Sequence, residues 1–214
     1  DSLEEDSDQV YFYFVIRELA HARLFKQSKW LRDYTVNLIT AYAREISIDN
    51  SRIIEMSENF DPADIGNIQK AFESGSLIAP RTPSQTIALE RIETVLALIE
   101  GWVDCVTQAA TTRLPRSSAI AEVVRRKRSA GGPAEKTFLT LIGLELRPRK
   151  LREASAMWNE ITNKVGIQKR DAIWSHPDLL PTDADIQDPT ALIAKLSNSA
   201  PEDDMDQALR DLLS

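Results

Sequence analysis

Five consecutive residues near the start of the chain carry its strongest chemical signal. Arg17-Glu18-Leu19-Ala20-His21 differs at one position from H-E-x-x-H, the helical motif in which two histidines bind zinc and the glutamate takes a proton from the metal's water. Here the first of the two ligand positions holds an arginine. A guanidinium has no lone pair to give a metal and stays charged at any relevant pH, so the motif offers one imidazole and one carboxylate. Arg17 and His21 lie four apart on one helix face with Val10, Phe14 and Phe25, which points both polar groups into apolar surroundings. A buried guanidinium without a partner is costly, and the pattern predicts an acidic counterpart elsewhere in the chain.

The candidate counterpart lies some eighty residues on. Thr82-Pro83-Ser84-Gln85 combines a Thr cap, proline at the first helical position and Gln where a capping box places it, and a long helix follows to about Thr111. Ala88, Ile92, Val95, Ile99, Val103 and Val106 make its core stripe, and Glu93, Ala97, Glu100 and Asp104 run beside them as an acidic line. Glu100 and Asp104 are like charges one turn apart. They oppose the helix by a few tenths of a kcal/mol unless water or a cation separates them, and Arg17 and His21 are the natural cation source.

The remaining elements position these two helices. Residues 10–25 place apolar side chains on nearly every side of a helical wheel, which predicts a helix buried on all faces, capped by Ser7 or Asp8 and ending near Gln27. A one-sided helix over 28–45, with Leu31, Tyr34, Leu38, Ala41 and Tyr42, packs back against it. Residues 47–59 form a weaker segment, and Asp61-Pro62 starts a helix that stops at Gly75. After Leu114-Pro115, a helix through Ile120, Val123 and Val124 ends in Arg125-Arg126-Lys127-Arg128, a basic run that reads as a solvated helix C-terminus. Helices over 134–143, 148–164 and 167–176 follow, then a proline-punctuated surface segment in which Asp188 caps a helix holding Leu192, Ile193 and Leu196. Residues 199–214 form a tail, acidic at first and then amphipathic through Met205, Leu209, Leu212 and Leu213, suited either to dock or to grip a partner.

Composition agrees with this helical reading and excludes several classes. Seven glycines, few alternating β-branched runs and long Ala-, Leu-, Ile-, Glu- and Arg-rich stretches give a mostly α chain, and 214 residues suffice for one sizeable core. The single cysteine, Cys105, forbids an internal disulfide framework, and no uninterrupted apolar run offers a membrane span, which together place the protein in the cytoplasm. A net charge of -7 argues against nucleic acid as a partner. The chain opens without Met or a signal sequence and reads as a fragment of a longer one.

Further blocks join the central motif in a fixed order: Leu98-Ile99-Glu100-Gly101-Trp102-Val103-Asp104, Gly131-Gly132-Pro133-Ala134-Glu135, Gly143-Leu144-Glu145-Leu146-Arg147-Pro148 and Trp174-Ser175-His176-Pro177-Asp178-Leu179-Leu180-Pro181-Thr182. Over roughly residues 10–193 the chain thereby resembles the zincin-like hydrolases of actinobacteria and their relatives, a family labelled zinc-dependent metalloprotease with one branch associated with biosynthesis of a deazaflavin cofactor. The resemblance implies Glu18 at the general-base position, His21 at the second zinc-ligand position, Glu100 as third ligand and Asp104 as a carboxylate that orients an imidazole. Arg17 is the departure. With His21 and Glu100 alone, the set falls short of the three protein ligands that a catalytic zinc normally has. The charges point to another arrangement, in which the fork of Arg17 fills the space of the missing histidine and of the ion, bridging Glu100 and Asp104 as a salt bridge.

The resulting expectation is a mostly α, zincin-like helical domain over 1–198 with the tail 199–214 appended, its R-E-x-x-H site degenerate. It would be a catalytically inactive scaffold or binding module for a protein partner or peptide, with no cofactor. The alternative is a working zinc-dependent hydrolase, a metallopeptidase with an unrecognised extra ligand, in which Glu18 takes the proton. A third reading is a helical regulatory module that acts through its tail. Among the remaining residues, His21 reads first as a core histidine and His176 as a structural residue of a turn. Cys105 reads as a small core residue, Glu18 as either an ion-pair partner or a catalytic remnant, and Trp30, Trp102, Trp158 and Trp174 as packing anchors.

Overall fold

The helix that begins at the Thr82 capping box is the axis of the molecule. The structure is a computed structural model that describes residues 2–46, 82–130 and 150–198, with backbone alone at 2–6 and 128–130. Among the described residues all regular structure is helical: α1 Ser2–Gln27, α2 Trp30–Arg44, α3 Pro83–Ala110, α4 Ser117–Ala130, α5 Leu151–Ala172, α6 Asp183–Gln187 and α7 Thr190–Asn198. Short 3-10 turns at Ile173–Ser175 and Pro177–Leu179 join α5 to α6. The protein is thus mostly α, as the composition and periodicity predict.

At the start of α3 the Thr82 hydroxyl accepts from the Gln85 backbone N–H at 3.1 Å, and the Gln85 side chain accepts from the Thr82 N–H at 2.9 Å, so two N–H groups that the helix itself cannot satisfy are bonded. From there α3 runs to Ala110 with α1, α2, α4 and α5 all packed against it. Both predicted lines of α3 are covered, because it has neighbours on more than one side: Ile92, Val95, Ile99 and Val103 are buried, and so are Ala97, Glu100 and Asp104. The closest approach is to α5 at Gly101. A Cβ there would lie 2.7 Å from the Ala154 Cβ and 2.8 Å from backbone atoms of Ala154 and Ser155, so glycine is what lets the two backbones touch. Beside this contact Trp158 donates its indole N–H to the Leu98 carbonyl at 2.9 Å and stacks on Trp174 at 5.4 Å. The four tryptophans anchor packing as expected, three of them buried and Trp30 half-buried.

Two expectations are corrected. First, α1 starts at Ser2 rather than at a Ser7 or Asp8 cap. Second, α1 is not buried on all faces. Its buried residues are Tyr13, Arg17, Ala20 and Leu24, one stripe at three- and four-residue steps, whereas Tyr11 (71%), Leu19 (63%) and Phe12 (57%) are exposed. Apolar type alone does not bury a side chain; α1 has neighbours on its α3 and α4 side, and the stripe marks that side. The break expected between helices over 148–164 and 167–176 is found: α5 consists of two helical runs that meet at Gly166, the second giving way to a 3-10 turn at Ile173. Gly166 has φ 88° and ψ 169°, a conformation closed to side-chain-bearing residues, and its position accounts for the break. The cap at the far end matches expectation: Asp188 accepts from the Thr190 N–H at 3.1 Å as α7 begins. That carboxyl is held below its ordinary range by the Thr190 hydrogen bonds. The expected segments 47–59, 61–75, 134–143 and 199–214 lie outside the described residues.

Candidate functional site

Arg17 belongs to the buried stripe of α1 and therefore faces α3, where Glu100 belongs to the second buried line. Its Nη2 donates to Glu100 Oε2, and the pair is almost fully enclosed, with Arg17 2% and Glu100 8% exposed. His21, one turn along α1, lies against the same carboxylate: its Nε2 is 3.3 Å from Glu100 Oε1. Its Nδ1 is 3.1 Å from the Arg17 carbonyl oxygen. Both ring nitrogens thus face acceptors, so the two bonds form together only when the ring carries both protons.

The structure therefore brings Arg17, His21 and Glu100 together and leaves Asp104 apart. Asp104 is fully buried one turn further along α3, but Arg17 does not reach it, and the expected bridge to both carboxylates is corrected to a bridge to Glu100 alone. Asp104 Oδ2 instead accepts from Ser155 Oγ of α5 at 2.7 Å and from Gln108 Nε2 at 2.7 Å, with Arg125 Nη1 of α4 at 3.7 Å. The reason is geometric: four residues displace Asp104 about 6 Å along α3 and roughly 40° around it, which turns it from α1 toward α4 and α5. Among the described residues its Oδ1 finds no partner, nor do the nearby Tyr13 hydroxyl and the Thr107 hydroxyl of the same helix. Burial raises the Tyr13 pKa, and the Asp104 charge adds to the rise. Glu18 is exposed on the flank of α1, outside the enclosed pair.

These residues do not fit a catalytic zinc. His21 and Glu100 are two donors, a guanidinium is bonded to one of them, and among the described residues no three His, Cys, Asp or Glu side chains converge so as to hold a metal ion. His176 is not a replacement ligand for this set. It is exposed, and its Nδ1 accepts from the Asp178 backbone N–H at 3.2 Å, capping a turn. Cys105 is buried, 3.3 Å from Asn159 Oδ1 and 3.8 Å from Arg170 Nη1, and burial pushes its thiol pKa up, the opposite of a metal-binding thiolate.

A second polar cluster lies outside the sequence expectations. Asp171 accepts from the Trp102 indole at 3.0 Å, from Arg170 Nε at 2.8 Å and, through its other oxygen, from Arg23 at 3.2 Å. Arg170 also lies over the Trp102 ring at 5.7 Å and donates to the Thr162 hydroxyl at 3.1 Å. The cluster ties α1 to α3 and α5 one and a half turns beyond Arg17. Its one legible signal is Trp102 inside the E-G-W-V-D block, since a buried indole N–H demands an acceptor.

Among the described residues no helix is long and apolar enough to cross a membrane. No curated protein and no solved structure matches the chain. A family model described as zincin-like metallopeptidase matches residues 1–193, a span that takes in the R-E-x-x-H helix, the Glu100 helix and everything between them. With nine-tenths of its length inside that match, the chain belongs to the zincin-like metallopeptidase family.

Proposed function

We propose that this protein is a zincin-like domain whose metal position has been taken over by Arg17, leaving a metal-free centre that serves as a scaffold or binding module for a protein or peptide. The observation that carries this reading is the enclosed pair of Arg17 and Glu100, with His21 on the same carboxylate. In the family's arrangement the residues at these three positions are the first, third and second ligands of one divalent ion. Here a fixed +1 charge meets the carboxylate directly. Such a group neutralises Glu100 but has no open coordination position and no bound water whose pKa it could lower, so the reading includes no hydrolytic step.

Protein purified without added metal is expected to contain well under one zinc per chain by elemental analysis, and its proteolysis of an unfolded protein substrate is expected to be nil with or without a chelator. In Arg17→His the guanidinium is gone and two imidazoles stand four apart, so calorimetric titration is expected to show a zinc site that the parent chain lacks. Stoichiometric zinc in the parent, or chelator-sensitive hydrolysis, would favour the metallopeptidase and overturn the reading.

A further inference from the structure

The buried stripe of α1, made of Tyr13, Arg17, Ala20 and Leu24, faces α3 and α4, and the opposite side of the helix carries a second apolar row. Tyr11 is 71%, Leu19 63%, Phe12 57% and Val15 37% exposed, and the exposed Ala22 continues the row. At about 100° per residue these five fall in one outward sector, with Asp8 before them and Lys26 after them, both exposed. Exposed apolar residues scattered singly need no explanation, whereas a contiguous row along one helix marks a contact surface. Its complement is apolar in the middle, basic where it meets Asp8 and acidic where it meets Lys26.

The same row on a second copy, run in the opposite direction, has that form. Asp8 and Lys26 lie nine residues either side of position 17, Phe12 and Ala22 five, and Val15 and Leu19 two. Turning α1 end over end at that level sets Asp8 against the other copy's Lys26, Phe12 over its Ala22 and Val15 beside its Leu19, and repeats each pairing by symmetry. We propose that this row is a self-complementary interface that joins two copies of the chain through antiparallel α1 helices. Phe12 over Ala22 sets large against small, which suits an axial separation of about 8–10 Å. Asp8 and Lys26 are roughly 27 Å apart along the helix, so both ion pairs form only with the apolar rows in register. A parallel pairing would oppose like charges at both ends. Tyr11 and Phe12 can together cover on the order of 250 Å². With Val15, Leu19 and Ala22, the two copies approach the roughly 1,000 Å² at which specific interfaces begin. The net charge of -7 on each chain opposes association, but it is screened beyond about 8 Å at physiological salt. The expected dimer is therefore weak, with Kd on the order of 10 μM. The row lies on the side of α1 away from Glu100, so the inference stands whether or not that centre holds a metal.

Sedimentation equilibrium of the full chain, from about 1 μM to about 1 mM, is expected to show a monomer–dimer equilibrium. Asp8→Lys alone and Lys26→Glu alone are each expected to weaken it about tenfold, since each reverses one side of both ion pairs. An equimolar mixture of the two variants regains opposite charges at both ends and is expected to dimerise about as tightly as the parent chain. Leu19→Glu, which puts a charge into the middle of each row, is expected to weaken the dimer at least about a hundredfold. All three positions are exposed, so the circular dichroism of each variant is expected to match that of the parent. A chain that stays monomeric throughout, a mixture no tighter than either variant alone, or a dimer indifferent to Leu19→Glu would each overturn the proposal. Monomers that instead sediment with phosphatidylcholine vesicles would assign the row to a membrane surface and overturn it as well.

Discussion

Glu100 and Asp104 are two buried carboxylates one turn apart on α3, and they are satisfied in different ways. Glu100 meets a full positive charge from α1 and an imidazole from the same helix. Asp104 receives two neutral donors, Ser155 and Gln108, with Arg125 at a looser 3.7 Å, and one of its oxygens finds no partner among the described residues. The difference separates two jobs that a carboxylate can hold in a core. At Glu100 the partner is a cation, and removing it takes a full positive charge away from an enclosed carboxylate. At Asp104 the hydrogen bonds tie α3 to α5 and the charge itself is secondary.

The sharpest way to break the comparison is to remove each carboxylate's partner or charge in turn. Arg17→Met, which leaves Glu100 enclosed without its cation, is expected to cost about 3–5 kcal/mol in denaturant unfolding, and adding Glu100→Gln is expected to recover most of it. Gly101→Ala, between the two carboxylates, forces a Cβ against the Ala154 and Ser155 backbone. The expected loss is about 1–3 kcal/mol, and it should move Ser155 away from Asp104 in a crystal structure. Asp104→Asn keeps an acceptor for Ser155 and is expected to cost about 1 kcal/mol, well below the Arg17 effect. Equal costs for Arg17→Met and Asp104→Asn would erase the distinction.

The smallest expected effect is that of Tyr13→Phe. Its hydroxyl is buried and finds no partner among the described residues, so its loss is expected to change stability at pH 7 by less than about 0.5 kcal/mol. The effect appears at alkaline pH. Burial raises the folded phenol above its ordinary value of 10.0, so the unfolded chain releases this proton first, and stability held below pH 10 falls as pH rises toward the folded value. Tyr13→Phe is expected to flatten that fall above pH 10, measured by unfolding at a series of pH values. Cys105, raised by burial above its ordinary 9.0, contributes a fall of the same sign that starts about one pH unit lower.

Much of this centre is legible in the amino-acid sequence. The capping box at Thr82, the acidic line of α3 and the Arg17–His21 pair rest on rules that act within a few residues, and the fold places Arg17 and His21 against Glu100. What is not legible depends on neighbours. Tyr11, Phe12 and Leu19 read as core residues because type is local, but burial depends on which helices come to lie alongside α1. Asp104 reads as a second acceptor for Arg17, yet the small turn of α3 between the two carboxylates hands it to Ser155 and Arg125 instead. The Asp171 cluster stays hidden because Arg23, Trp102 and Asp171 come from three helices and share no sequence pattern.

The most direct test is diffraction from crystals soaked in zinc, with data collected at the zinc absorption edge. The expected result is Arg17 on Glu100 and no anomalous peak between Glu100 and His21. A peak roughly 2.0–2.1 Å from His21 Nε2, with Glu100 coordinated and the Arg17 guanidinium displaced, would contradict it and return the centre to the metallopeptidases.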